Sequence, residues 1–497
     1  AICSGSTFSY TPTSSTSGAT YAWSRAAVAG ISNTAATGSG NPNETLTNTT
    51  TAPISVTYVY TVSANGCTNA GTYNVVVVVN PAPQLTSTLT PGAVCNNTIF
   101  TYTPTSGTIG AVFNWTRAAV SGISNAAASG TGDPNETLVN TTTAPVNVTY
   151  VYTVSANGCS SSTYNVVVTV NPTPQLTSTL TPASICSGAT FSYTPTSSTS
   201  GASYAWSRAA VVGISNTAAT GTGNPSETLT NTTTAPIDVT YVYTVSANGC
   251  TNTGTYSVVV TVNPTPQLTS TLTPSAICSG TTFGYTPTSS TSGATYSWTR
   301  AAITSINGNT SGSGSAAVSE QLTNSSTSPV NVTYVYTVSA NGCTNASTYS
   351  VVVTVNPTPV LTSTVSPASI CSGSTFSYTP TSSTSGATYA WTRAAVAGIS
   401  NTATSGSGNP GEVLTNTTAD PVDVTYVYTV SANGCTNGTN YHVVVSVKPT
   451  PVLTSTLTPS AICSGSTFSY TPTSSTSGAT YAWSRAAVAG ISNTAAT

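Results

Sequence analysis

The sequence predicts an all-β fold, a string of small sandwich modules, and three observations predict it. A cassette of about ninety residues repeats five times and starts a sixth copy, a period beyond the roughly 20–50 residues of solenoid units and so the size of a whole domain. Within each cassette apolar residues alternate with period two, and no stretch carries helical periodicity. Short runs rich in Tyr, Val and Thr are separated by Gly, Pro and Asn turn signals. The copying is close: Ala1–Thr37 returns letter for letter as Ala461–Thr497.

The joints come first. Cutting at Asn80/Pro81, Asn171/Pro172, Asn263/Pro264, Asn356/Pro357 and Lys448/Pro449 gives modules at 1–80 (first strand missing), 81–171, 172–263, 264–356 and 357–448, with a truncated sixth at 449–497. Each cut opens a Pro-x-Pro element such as Pro172-Thr173-Pro174. Proline fixes φ and favours extended chain, so short, semi-rigid linkers are expected. At about 40 Å per module, judged from strands of roughly 6–10 residues, an extended rod on the order of 200 Å follows.

The strands follow in order. Gln84–Thr90 reads as strand A of the second module. In the first module Thr7–Thr13 reads as B, Thr20–Ala26 as C, Glu44–Thr50 as E, Val56–Ser63 as F and Thr72–Asn80 as G. Asn65-Gly66 marks a turn between F and G. About seven such strands suggest an immunoglobulin-like β-sandwich, whose core holds a strand-C Trp against a B–F cystine. Trp23, Trp115, Trp206, Trp298 and Trp391 hold the strand-C place, always as Trp-x-Arg. Tyr10 lies thirteen residues before Trp23, and Tyr58-Val59-Tyr60 resembles the strand-F motif. Tyr10 and Tyr60 are therefore expected in the core in place of the cystine, packed on Trp23.

Ile2-Cys3-Ser4-Gly5, Tyr21-Ala22-Trp23-Ser24-Arg25-Ala26-Ala27-Val28, Val56-Thr57-Tyr58-Val59-Tyr60 and Asn65-Gly66-Cys67 together resemble the PKD-like, Ig-like repeats of very large Bacteroidetes surface proteins. Those include gliding-motility adhesins of the SprB type, exported by type IX secretion. The resemblance covers the whole chain. It implies a secreted, cell-anchored adhesin or filament at the bacterial cell surface, with neighbouring modules, surface carbohydrate, another protein or the secretion and gliding machinery as partners. Module 2 departs locally at Cys95-Asn96-Asn97-Thr98, and module 4 across Ile303–Val318.

Composition narrows the function. Seven Lys and Arg in 497 residues, at net charge −2, leave no footprint for nucleic acid. No apolar run approaches the roughly 18 residues that span a bilayer, and the chain lacks Met and any targeting signal. A window cut from a longer, processed polypeptide is the expectation. Recurrent cysteines in small all-β modules point to an oxidising compartment. Catalysis has no candidate constellation: His442 is the one histidine, and no Ser/His/Asp or Cys/His set assembles around it. Neither a metal nor a cofactor is expected, since acidic residues number nine in all and calcium joints need several oxygen ligands converging on one point. The single Lys448 rules out one lysine cross-link per domain. Asn-x-Ser/Thr tripeptides such as Asn48-Thr49-Thr50 read first as turn and edge residues.

One charged pair recurs in each complete module: Arg25 and Glu44, Arg117 and Glu136, Arg208 and Glu227, Arg300 and Glu320, Arg393 and Glu412. Residues two apart on a strand share a face, so each Arg follows its Trp to the rim of the core, where a shielded guanidinium needs a partner. An ion pair within the module is the leading reading; a ligand-binding arginine and two independent surface charges are the alternatives. The cysteines pose a geometric problem. Cys3 precedes Tyr10 by seven residues and Cys67 follows Tyr60 by seven, which puts them at opposite ends of the sandwich, roughly 45 Å apart. A disulfide tolerates a Cα separation of only about 7 Å. The favoured pairs therefore cross between modules, Cys3–Cys159, Cys95–Cys250, Cys186–Cys343 and Cys278–Cys435, and would clamp each joint. Pairing within modules and free thiols are the alternatives. The leading functional reading is the structural stalk of a long adhesin, not an enzyme; a self-associating extracellular filament or sheath subunit is the alternative.

Overall fold

The computed structural model describes residues 1–307 and 309–497. The chain folds as two compact units, Ala1–Asn263 and Pro264–Thr497. Modules 1–3 make up the first; modules 4 and 5 and the tail from Pro449 make up the second.

Module 1 shows the plan. Its strands are β1 (Ile2–Cys3), β2 (Ser6–Phe8), β3 (Thr20–Arg25), β4 (Ala36–Ser39), β5 (Glu44–Leu46), β6 (Ile54–Ala64), β7 (Cys67–Thr68) and β8 (Tyr73–Asn80). The larger sheet runs β1-β8-β6-β3-β4 with β7 folded back on β6, and β2 pairs β5 in a two-stranded sheet. β1 lies parallel to β8, with Cys3 opposite Asn80. Modules 2–5 repeat this order, and among the described residues there is no helix.

β6 carries the core because its period-two pattern turns Val56, Tyr58 and Tyr60 inward. Val77 and Val79 of β8, Leu46 of β5 and Trp23 of β3 meet them. Asn65 (φ 47°) and Gly66 (φ 80°) supply the two left-handed residues of the β6–β7 turn, and Ala64 faces Cys67 across it. That geometry is the two-residue hairpin which Asn-Gly favours.

The observed strands depart from the sequence expectation in ways with local causes. Strand B keeps only Ser6–Phe8, because the Tyr10 N–H donates to Asn41 Oδ1 at 2.8 Å and Pro12 has no N–H to give. Strand E stops at Leu46. Beyond it Asn48 takes over: its Oδ1 accepts from Thr50 N, and its Nδ2 donates to the Ala52 and Val79 carbonyls, each at 2.8 Å. The strand expected at Gln84–Thr90 is an extended segment without a ladder. It is held by Thr86 N to Thr105 O at 2.8 Å and Val167 N to Leu89 O at 2.9 Å. Two strands unforeseen from sequence, β1 and β4, extend the larger sheet at its two edges.

In module 2, Asn96 and Asn97 take the places of Ser4 and Gly5. Asn96 Oδ1 accepts from Asn140 N at 2.8 Å, as Ser4 Oγ does from Asn48 N at 2.9 Å, and Asn97 holds φ 58° where Gly5 holds 84°. Asn is among the few residues that tolerate this region. In module 4 the rewritten stretch leaves Trp298 half-buried and lengthens the small sheet to Thr281–Tyr285 against Val318–Leu322. Gly308, within that stretch, lies outside the described residues.

Candidate functional site

Alternation along β3 turns Trp23 and Arg25 to the same inward face. The Arg25 side chain is only 1% exposed and every nitrogen of its guanidinium donates a hydrogen bond. Nε donates to Glu44 Oε2 at 2.9 Å, Nη2 to Glu44 Oε1 at 3.1 Å and to the Thr34 carbonyl at 2.6 Å, and Nη1 to the Ala26 carbonyl at 3.2 Å. Tyr58 Oη adds a 2.6 Å hydrogen bond to Glu44 Oε2. The closest ion-pair distances elsewhere are 2.8 Å for Arg117–Glu136, 2.8 Å for Arg208–Glu227, 2.6 Å for Arg300–Glu320 and 2.8 Å for Arg393–Glu412. Tyr150, Tyr241, Tyr334 and Tyr426 take the part of Tyr58.

The electrostatics follow from this packing. Burial works to raise the Glu136 carboxyl, but hydrogen bonds from Arg117 and Tyr150 outweigh it and hold the group below the ordinary carboxylate range. Burial and the hydrogen bond to Glu136 raise the Tyr150 phenol, and the Arg117 guanidinium is raised by its hydrogen bonds to Glu136. Every polar group of the triad is committed to another part of the same module. Its chemistry is that of a clamp between the two sheets, with β3 and β6 on one side and β5 on the other.

The tryptophans sit in the core at 5–7% exposure in modules 1, 2, 3 and 5. Their aromatic partner is Tyr58 and its counterparts, with ring centroids 5.2–5.4 Å apart. Tyr10 pairs with Tyr60 at 5.6 Å. The expectation that Tyr10 is a core residue needs correction, because it is 38% exposed. Its counterparts Tyr102, Tyr193, Tyr285 and Tyr378 are 5–6% exposed, and a Ser hydroxyl of the preceding extended segment binds each phenol. Among the described residues no such segment lies over Tyr10. Sequence reasoning also missed the glycine beneath each indole. A Cβ on Gly38 would stand 2.4 Å from Trp23 Cζ2, and one on Gly130 would stand 2.6 Å from Trp115 Cζ2.

The cysteines connect successive modules. Cys3 bonds Cys159, Cys95 bonds Cys250 and Cys278 bonds Cys435, each with Cα atoms 5.6 Å apart. Cys186 and Cys343 are also disulfide-bonded, while Cys67, Cys371 and Cys463 are free and exposed. Hydrogen bonds reinforce these joints: Asn80 Nδ2 donates to Asn157 O at 2.8 Å, Asn171 to Asn248 O at 2.9 Å and Asn356 to Asn433 O at 2.9 Å. The cystine thus sits where β1 of one module meets the β6–β7 hairpin of the next. His442 lies exposed on the strand Tyr441–Lys448, opposite Val427.

The PKD-like domain family matches this sequence five times, at residues 1–83, 92–174, 183–266, 275–359 and 368–451. The chain belongs to the PKD-like domain family. Each PKD-like match opens just before the Cys of β1 or its counterpart and runs past β8 into the Pro-x-Pro joint. Among solved structures, the chain is similar to the insect immune protein hemolin, at 11% identity over 74% of this chain and 100% of that one, with a TM-score of 0.21. It is similar also to the N-terminal eight Ig domains of Down Syndrome Cell Adhesion Molecule, at 10% identity over 90% and 71%, with a TM-score of 0.28. A three-domain I-band fragment of titin aligns at 13% identity over 56% and 98%, with a TM-score of 0.30. No curated protein sequence matches the chain.

Proposed function

We propose that this PKD-like array is the structural stalk of a long adhesin at a bacterial cell surface, holding a distal adhesive region away from the cell. The observation that carries the reading is the placing of cystines across the joints between successive modules. A binding or catalytic module has no need to lock its neighbour, whereas a spacer gains stiffness from it. The triad supports the same reading, because the recurrent charges are spent on holding sheets together and none is left aimed at a ligand. Disulfides fit an exported protein, and a secreted, gliding-motility adhesin of the type IX kind is the setting that the cassette motifs favour. The modules are bounded, on this proposal, at the five Pro-x-Pro joints.

Small-angle X-ray scattering of the 497-residue protein tests it. A compact globule of this length would have a radius of gyration of about 23 Å, and a rod on the order of 200 Å would have roughly 60 Å. A value near the rod, falling when the cystines are reduced, is expected; a value near 23 Å would sink the stalk.

A further inference from the structure

Each complete module enters its longest strand through an X-Pro step: Ala52-Pro53, Ala144-Pro145, Ala235-Pro236, Ser328-Pro329 and, in module 5, Asp420-Pro421. The carbonyl before the proline is held alike every time. Asn48 Nδ2 donates to Ala52 O at 2.8 Å, and Asn140, Asn231 and Asn324 donate to Ala144 O, Ala235 O and Ser328 O at 2.8–2.9 Å. In module 5, Asn416 Nδ2 and Thr418 Oγ1 each lie 2.8 Å from Asp420 O. Asn416 is buried, at 6% exposure, and its Nδ2 is also tied to the Val447 carbonyl at 2.8 Å. Module 5 alone puts a carboxyl group beside this carbonyl.

An Asp side chain can reach its own main-chain carbon by rotation about χ1, closing a small ring. Asp420 is exposed, so its side chain is free to turn. Attack at that carbon drives negative charge onto Asp420 O, where the donors already stand. Donors placed in advance stabilise a developing oxyanion more than the neutral carbonyl, and so lower the barrier. Thr418 Oγ1 also lies 2.8 Å from Asn416 Oδ1; its one proton can serve either oxygen, and the growing charge draws it to Asp420 O. The leaving group suits the reaction too, because a proline nitrogen departs as a basic secondary amine.

We propose that Asp420–Pro421 is a self-cleavage site. The Asp420 carboxyl oxygen bonds to the Asp420 main-chain carbon, the bond from that carbon to the Pro421 nitrogen breaks, and the nitrogen takes up the proton that the carboxyl group gives up. One water then opens the resulting cyclic anhydride. Asp420 is left with a free α-carboxyl group and Pro421 with a free amine, so the net reaction consumes one water. The cut falls between the strands Glu412–Val413 and Val422–Ala432, inside the span closed by Cys278–Cys435. Both pieces therefore stay in one sandwich and on one covalent path until that cystine is reduced. The chain's other Asp-Pro bond, Asp133–Pro134, serves as an internal control. Its carboxylate is occupied, since Asp133 Oδ1 accepts from Tyr102 N at 2.7 Å and from Asn135 N at 3.1 Å. The site goes beyond the stalk reading and does not depend on it.

The test is incubation of the oxidised 497-residue protein in mildly acidic buffer, followed by mass spectrometry with and without reductant. The unreduced chain should gain the mass of one water, and reduction under denaturing conditions should free residues 421–497 with Pro421 at the amino terminus. The bond should break at least about a hundredfold faster in the folded chain than in urea, the effect of one oxyanion donor, and faster than Asp133–Pro134. Asp420→Ala restores the residue found at Ala52, Ala144 and Ala235, so it folds, and it should abolish the cut. Thr418→Val should slow the cut at least about tenfold with circular dichroism unchanged. The proposal is overturned by an intact chain or by equal rates in the folded and unfolded protein. A cut that survives Asp420→Ala, or a rate that Thr418→Val leaves unchanged, overturns it as well.

Discussion

Replacing Glu136 by Gln keeps the shape of the triad and removes its negative charge. Glu136 accepts from Arg117 Nε at 2.8 Å, from Arg117 Nη2 at 2.9 Å and from Tyr150 Oη at 2.6 Å. Gln retains one acceptor oxygen and turns an NH₂ toward groups that are themselves donors. An exposed pair would lose about 0–1 kcal/mol, and breaking a fully buried one about 3–5 kcal/mol. The Arg117 side chain is 1% exposed and that of Glu136 17%, while Arg117 keeps its bonds to the Ala126 and Ala118 carbonyls. A loss of about 2–4 kcal/mol follows, below the fully buried limit. Hydrogen exchange in the intact chain reads it module by module. Tyr164–Asn171 has a sequence distinct from its counterparts, so its exchange can be followed alone. It should speed up by about 30- to 700-fold, since each 1.4 kcal/mol is a factor of ten. The corresponding strand of module 5, Tyr441–Lys448, should not change. An increase of less than about threefold would mean that the triad is energetically equivalent to a surface pair, and the clamp reading would fall.

Gly130→Ala should destabilise module 2 by about 1–3 kcal/mol through overpacking and shift the fluorescence of Trp115, because the new methyl would stand 2.6 Å from the indole. Glu136 titrates below its ordinary value when folded. Its contribution is therefore present above about pH 4.3, the unfolded value, and disappears as pH falls through the lower folded one, a slope that Glu136→Gln should flatten for module 2 in acid titrations. Tyr336 is pushed up to about 12, chiefly by burial. Stability should hold to about pH 10 and fall as pH rises toward that folded value, followed by phenolate absorbance. Paired Cys95→Ser and Cys250→Ser should remove a link closing 155 residues, worth up to about 4–5 kcal/mol on the chain-entropy argument, while leaving near-UV dichroism of both cores intact. Asn140 should resist a glycosyltransferase in the folded protein, because its Nδ2 already donates to Ala144 O and Val170 O. Glycopeptide mapping before and after unfolding checks it.

What could be read from the sequence was whatever depends on alternation. Trp23 and Arg25 two apart, and Tyr58 and Tyr60 two apart, place four inward side chains with no further information, and the recurrence of a single Glu in a charge-poor module points to the Arg partner. The ring that meets Trp23 was misjudged because Tyr58 and Tyr60 share a face: the register sets Trp23 opposite Tyr60, yet the indole leans along the strand to Tyr58, and alternation does not encode that lean. β4 was invisible because Ala36–Ser39 is small and polar and carries no alternation; its glycine is there for the indole lying on it. Asn48 looked like a glycan acceptor or an edge residue. Its burial depends on β8 passing close enough to offer the Val79 carbonyl, a long-range fact that no local pattern encodes. Tyr10 was placed in the core by its thirteen-residue spacing from Trp23, a spacing that says nothing of the extended segment whose serine meets Tyr102 and its counterparts.

The cystines also set how far the first unit can be drawn out. A chain under tension extends along its shortest covalent route. From Cys3 to Asn263 the backbone holds roughly 260 residues, on the order of 900 Å when taut. Through the cystines the route crosses from Cys3 to Cys159, returns along the backbone to Cys95, crosses to Cys250 and continues to Asn263. That is roughly 80 residues, or on the order of 270 Å. Most of the contour is shielded from load while the sulfur bonds hold, and module 2 is pulled between its two cysteines with the polarity of its backbone reversed.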